Sequence, residues 1–330
     1  MEDRVEPRSI EGERFWRRLR EVVGRAVVVD DLPLRLMAVA LLANGHALVE
    51  DVPGVGKTLL TRAFSRALGL GFARVQGTPD LLPSDVLGAS LLEGGSFRFV
   101  PGPIFTNVLL VDEINRATPR TQSALLESME EGQATIEGET RPLPDPFLVL
   151  ATQNPVELEG TFALPEAQLD RFAVRIRMGY PDQADERRIA GRFRASAQPL
   201  DAVEPIADAA RLLALRDEVR QVTVSDEVAD YLVGLVRASR ERPELALGAS
   251  PRASVVLYRI AQAWAHLAGR DFVLPDDVKA VAPSVLAHRV MLDVDRQLRG
   301  ATAEAVVAEL VAQAAAPPAG ERSDSAEAGA

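Results

Sequence analysis

The chain has no cysteine, which excludes disulfides and thiolate metal sites. It has no apolar run near the roughly 18 residues needed to span a bilayer. Its amino terminus, MEDRVEPRSIEGERFWRR, lacks the apolar core of a secretory signal. These absences lead us to expect a cytoplasmic protein without membrane insertion. Positive charge is short as well. The net charge is −11, and no lysine-rich or aromatic-basic tract occurs, so a protein that coats or tracks nucleic acid is disfavoured. Lysine itself is almost missing: of 37 basic residues only Lys57 and Lys279 are lysines, leaving 37 − 2 = 35 arginines. Where a lysine does stand, its position is informative.

What is present suits a globular chain of one large or two ordinary domains: 330 residues, 47% hydrophobic and 26% charged. Residues 1–11 are polar and are expected to be loose. Helical spacing begins in ERFWRRLREVV (13–23) and recurs from Leu32 to Ala43. Short apolar runs then alternate with helical patterns: ALVE (47–50), FARVQ (72–76), VLLVD (108–112), FLVLAT (147–152) and FAVRIRM (172–178). That alternation predicts a parallel sheet wound with helices. In the last run Arg175 and Arg177 alternate with apolar residues, which predicts an edge strand with one wet face. Beyond GYPDQ (179–183) the pattern is helical, without a strand. Ser225 is placed to cap one helix, and Ser250-Pro251 to open another that Gly269 closes. Residues 274–290 predict one or two short helices. The tail from 313 to 330, poor in large apolar residues, is expected to be disordered. The division is therefore 12–180 as an α/β core and 181–312 as a helical lid.

Two stretches carry chemistry. In EDVPGVGKTLL the strand ALVE runs into Pro53-Gly54-Val55-Gly56-Lys57-Thr58, with Leu59 opening the next helix. Glycines let successive N–H groups face an anion, and the helix N-terminus adds partial positive charge. Lys57 suits the β- and γ-phosphates of ATP, and the Thr58 hydroxyl suits Mg2+. A compact ammonium on a flexible stem follows phosphates in a tight loop better than a flat guanidinium. The full phosphate-loop pattern wants glycine at position 51, where this chain has Asp51. In VLLVDEIN, Asp112 lies 55 residues beyond Lys57. Two acids at the end of a buried strand point to opposite sides. Asp112 suits Mg2+ through its water shell, and Glu113 suits polarisation of an attacking water.

Together these motifs resemble the P-loop AAA+ ATPases. DEINRATPRTQSALLESMEEGQATIEG (112–138) and ATQNPVELEGTFALPEAQLDRF (151–172) resemble the MoxR family, over about Val22 to Val290. The resemblance implies a five-stranded parallel sheet with helices on both faces, followed by a smaller all-α lid. It implies that Asn154 is sensor 1 and that Arg171 is an arginine finger serving the neighbouring subunit's nucleotide. Arg252 looks like sensor 2, and Val23-Gly24 resembles the segment that packs on adenine. Residues 88–104 and 132–147 look like hairpins facing a central pore or a client. Thr118-Pro119 caps the helix that ends at Gly132. His46, His266 and His288 have no metal-ligand spacing.

The implied function is a ring ATPase, most commonly hexameric. It would load Mg2+-ATP between its two domains and remodel or mature partner proteins, metal insertion included. The partners would often carry a von Willebrand factor type A domain. Two alternatives stand beside it: a slow-cycling nucleotide switch, which Asp51 favours, and a magnesium-chelatase-like motor subunit.

Overall fold

The computed structural model describes residues 8–50, 54–94, 96–154, 160–192 and 199–317. Two helices come first, α1 (Arg8–Ala26) and α2 (Asp31–Leu42). The α/β part follows as β1 (Ala47–Glu50), α3 (Lys57–Ala67), β2 (Phe72–Gln76), α4 (Pro83–Leu87), β3 (Gly88–Glu93) and β4 (Ser96–Pro101). It continues as β5 (Val108–Asp112), α5 (Pro119–Glu131), β6 (Gln133–Ile136), β7 (Glu139–Pro142), β8 (Leu148–Gln153), α6 (Glu166–Leu169) and β9 (Val174–Ile176). The remainder is α7 (Gln183–Arg192), α8 (Ala209–Arg220), α9 (Asp226–Ala238), β10 (Leu245–Leu247), α10 (Pro251–Leu267), α11 (Pro275–Leu286), β11 (Met291–Leu292), α12 (Val294–Leu298) and α13 (Ala303–Gln313).

Five strands form a parallel sheet in the order β2-β5-β8-β1-β9. Strands β5 and β8 read as unbroken apolar runs because both faces are covered. On one face Ala47, Val49, Leu110, Leu148, Leu150, Val174 and Ile176 join α2, α3 and the helices beyond α7 in one continuous core. On the other, Leu48, Leu109, Val111, Val149 and Ala151 meet Leu125, Leu126 and Met129 of α5. Phe64 of α3 is fully buried in the first core. Truncating such a side chain costs about 3–5 kcal/mol. The expected hairpins form as antiparallel pairs, β3 with β4 and β6 with β7. They lie against each other, with the Arg141 guanidinium 4.1 Å from the centre of the Phe99 ring. Thr118 caps α5 as expected, accepting from Thr121 N, and Gly132 closes it in the left-handed conformation at φ 65°.

Three expectations need correction. Helix α1 begins at Arg8, inside the stretch expected to be loose, because Glu11 pairs with Arg211 and Gly12 packs on His266, where a Cβ would come 2.2 Å from a carbonyl. β9 is an edge strand, but its polar face is covered: Arg175 pairs with Glu50 and with Glu304 of α13, and its side chain is only 10% exposed. The helical part also contains a short antiparallel pair, β10 with β11, too brief to leave a period-2 signature. Residues 274–290 contain one helix of 12 residues, α11, as expected, and it accommodates Pro283. Of the tail, 313–317 lie within the described residues and 318–330 outside them.

Candidate functional site

The sheet order sets the carboxyl ends of β5, β8 and β1 side by side, with Gln76 opposite Asp112 and Glu50 opposite Gln153. Ligands of open α/β sheets bind at this edge. The loop after β1 is described from Gly54 onward; Asp51 and Pro53 lie outside the described residues. Gly54 and Gly56 adopt φ 87° and 86°, a conformation glycine enters without steric cost. A Cβ built on either would meet nothing within 4 Å, so the space before them is open. Gly56 stands at the N-cap of α3, and no side chain caps this helix. The N-terminal end of such a helix, with its N–H groups and its dipole, favours an anion. Val55, Lys57, Thr58 and Leu59 are all part-buried here, and Thr61 Oγ1 donates to the Lys57 carbonyl at 2.9 Å, fixing the first turn.

Asp112 ends β5 and is 7% exposed. Arg74 Nε donates to its Oδ2 at 2.6 Å, and Thr152 Oγ1 donates to its Oδ1 at 3.3 Å. Glu113 follows in the left-handed region, φ 56° and ψ 51°, which is uncommon for a residue with a Cβ. Two contacts hold it there. Its N–H donates to Thr152 Oγ1 at 2.9 Å, and Gly77 N–H donates to the Asp112 carbonyl at 2.6 Å. A Cβ at position 77 would fall 2.2 Å from the Glu113 carbonyl oxygen, so this approach requires glycine. The Glu113 carboxylate accepts from Gln76 Nε2 at 2.9 Å and lies 3.6 Å from Arg116. Both acids are thus restrained by side chains of β2. Asn154 follows β8 directly and is part-buried. Lys57 and Thr152 line the same small gap over the sheet.

A cleft of about 170 Å3 adjoins the loop, lined by Val28, Val29, Asp30, Val55 and residues 178–182. Val23 is not part of it. That side chain is fully buried in the core, and Gly24 is an exposed position inside α1. The segment that reaches the loop is Val28-Val29, further along the chain.

Arg171 and Arg252 meet elsewhere. Arg171 Nε lies 3.0 Å from Glu130 Oε2, and Arg252 Nη1 lies 2.6 Å from Glu130 Oε1. One carboxylate near the end of α5 holds both. The two arginines line a cavity of about 740 Å3 together with Arg259, Asp145 and His46, a different cavity from those of Lys57 and Val55. Ser250 does not cap α10; its hydroxyl donates to Asp170 Oδ2 at 3.0 Å, which ties the start of α10 to the turn that carries Arg171. His46 anchors the end of α5 to the sheet. Its Nδ1 accepts from Val149 N–H at 3.0 Å, which puts the proton on Nε2, and Nε2 donates to the Met129 carbonyl at 2.9 Å. Burial pushes the His46 pKa down to about 4, so the ring is neutral at physiological pH.

Among the described residues no three His, Asp or Glu side chains form a metal cage. A magnesium site would draw on Thr58, Asp112, phosphate oxygens and water, as is usual for that ion. Arg74, Gln76, Thr152 and Glu130 went unnoticed in the sequence. The one available signal was Arg74, a charge inside an otherwise strand-like run.

The geometry agrees with the comparisons. Residues 46–174 match the model of the ATPase family associated with various cellular activities, and residues 237–316 match that of the AAA lid domain. The uncharacterized protein YeaC of Bacillus subtilis is 48% identical over 86% of this chain and 88% of its own length. Chaperone MoxR1 of Mycobacterium tuberculosis is 42% identical over 89% and 80%. A crystal structure from Cytophaga hutchinsonii, assigned provisionally as an ATPase, superimposes with a TM-score of 0.87 at 38% identity, covering 93% of this chain and 96% of that one. A phosphate-loop sheet, a helical lid and relatives of this identity along most of the chain lead to one assignment: the chain belongs to the MoxR family of AAA+ ATPases.

Proposed function

We propose that this protein hydrolyses ATP at sites shared between neighbouring copies in a ring, hexameric by analogy with the family, and uses the cycle to remodel or mature partner proteins. One observation carries the shared site: Arg171 and Arg252 converge on Glu130 and line a cavity that Lys57 does not enter. Arginines that belong to a phosphoryl-transfer site, yet stand apart from their own loop, serve the nucleotide of the next copy.

In this reading the loop Gly54–Thr58 holds the phosphates, with Lys57 on the β- and γ-oxygens. Val28, Val29 and Val55 form the wall for the base. Thr58, and Asp112 through water, would hold Mg2+, which would supply neutralisation of phosphate charge when bound. Glu113 accepts a proton from the attacking water, and Asn154 orients that water. The water oxygen bonds to the γ-phosphorus as the bond to the β,γ-bridging oxygen breaks, releasing ADP and phosphate. Arg171 and Arg252 of the adjacent copy stabilise the charge that spreads over the transferring group. The name of the MoxR1 relative supports a chaperone-like role. So do the side chains of Leu91, Leu92 and Phe97, exposed on the β3–β4 hairpin where a client could bind. A partner with a von Willebrand factor type A domain and a cytoplasmic location complete the proposal.

The test is ATP turnover per subunit against protein concentration. The rate should climb with concentration, and Arg171→Ala should lower it by about 10³-fold or more. A flat rate that ignores the substitution would remove the shared site.

A further inference from the structure

The Arg171 turn is gripped from behind by a residue far along the chain. Arg289 follows α11, and its side chain is 1% exposed. Its Nε donates to Asp170 Oδ1 at 2.8 Å, and its Nη2 donates to the Asp170 carbonyl at 3.2 Å and to the Phe172 carbonyl. Its Nη1 donates to the Ala173 carbonyl at 3.2 Å and to the Val285 carbonyl of α11. The acceptors from the turn sit at positions 170, 172 and 173. They bracket Arg171 on both sides and leave its side chain free to reach outward to Glu130. The second oxygen of Asp170 takes the Ser250 hydroxyl, two residues before Arg252.

We propose that Arg289 is a positioning residue: through Asp170 and Ser250 it sets Arg171 and Arg252 as one rigid pair facing the next copy's nucleotide. This rests on the shared-site reading above. The chemistry favours a guanidinium. Its planar fork offers five donors at fixed angles, enough to bind one carboxylate and several carbonyls at once. A lysine has one nitrogen and cannot span them. The contrast in strength points the same way. The Glu130 pairs are about one-third exposed, and such pairs are worth about 0–1 kcal/mol. They can be exchanged for a phosphate. The Arg289 side chain is buried with its guanidinium nitrogens hydrogen-bonded, and breaking a pair of which one member is buried in this way is more costly. The backbone of the turn is thus fixed while the tips of its arginines are exchangeable. An error of about 1 Å in such a group costs about 10²-fold in rate.

The experiment mixes variants in full-length protein. Arg289→Lys keeps the charge and loses the fork. It should bind a fluorescent ATP analogue with unchanged affinity, since Lys57 is untouched, while turnover falls about 10²-fold. Its own loop and acids remain intact, so it should recover when mixed with Glu113→Gln, whose arginines are sound and whose site is dead. A random one-to-one mixture makes about one quarter of the interfaces productive. Mixing Arg289→Lys with Arg171→Ala should restore nothing, because both lack a working finger. The control pair is Arg171→Ala with Glu113→Gln. If that pair recovers and Arg289→Lys with Glu113→Gln does not, Arg289 is a structural residue only and the proposal falls. Unimpaired turnover in Arg289→Lys would overturn it equally. Failure of the control pair would remove the shared site and this inference with it. Should Arg289→Lys not fold, Asp170→Asn and Ser250→Ala enter the same mixtures with the same expected pattern.

Discussion

At the loop end of the sheet, two acids are held by donors of the same chain: Asp112 by Arg74 and Thr152, and Glu113 by Gln76. At the turn after α6 the polarity is reversed, and two arginines are held by one acid, Glu130. In the first region donors serve the acids, in the second an acid serves the arginines, and both arrangements are completed within one copy. The difference teaches that an isolated chain has the parts of a nucleotide site in two places. In the proposed ring, association would bring them together, and each region would then give up an internal partner.

Four substitutions would break or sharpen that contrast. The largest effect belongs to Glu113→Gln. Turnover should fall about 10²–10⁴-fold, the usual worth of a general base, while ATP affinity is kept. Persistent turnover would show that Glu113 is not the base. Lys57→Ala comes next and acts on binding. Losing a charge-assisted contact of about 1.5–3 kcal/mol should weaken ATP about 10- to 100-fold, read by titration with a fluorescent analogue. Unchanged affinity would empty the loop of its assigned role.

The third concerns the arginine region alone. His46, which steadies α5 next to Glu130, has a folded pKa of about 4, below its ordinary value of 6.5. Its depressed pKa contributes stability that is complete above pH 6.5 and is lost as pH falls through 4. By linkage the loss amounts to about 3 kcal/mol. Unfolding free energy measured by denaturant from pH 7 to pH 4 should drop less steeply in His46→Gln, whose amide is uncharged throughout. Parallel profiles would show that His46 titrates normally. The smallest effect is expected from Arg74→Met. Arg74 is half exposed, and on the proposed reading its pair with Asp112 would compete with the ion's water shell. Removing it should lower the Mg2+ requirement of turnover by a few-fold, in line with about 0–1 kcal/mol for such pairs. A higher requirement would make Arg74 a helper and not a competitor.

Much of the fold was legible because burial on both faces writes a plain signal. β1, β2 and β5 occupy the runs ALVE, FARVQ and VLLVD, and Thr118 and Gly132 mark the ends of α5. Regular local chemistry was also readable in Ser225, which caps α9 by accepting from Val228 N–H. The rest depends on partners distant in sequence. Arg175 looked solvent-facing because nothing nearby announces Glu304, 129 residues later. Ser250-Pro251 opens α10 as its pattern suggests, but nothing local announces that Asp170, 80 residues earlier, takes the Ser250 hydroxyl. The joining of Arg171 to Arg252 through Glu130 follows from how the lid packs on the core, which no local spacing encodes.

The continuous apolar core has a mechanical consequence. α11 touches β9, α10 packs on α1 and α2, and one cluster of buried side chains runs from the sheet into these helices without a break. A lid joined in this way resembles the arm of a bracket more than a door. Swinging it open would expose Leu257, Ile260 and Val285 to water, at about 25 cal/mol for each Å2 uncovered. In the proposed ring each copy would then act as a stiff lever, and the work of a hydrolysis cycle would be delivered by tilting whole subunits against one another.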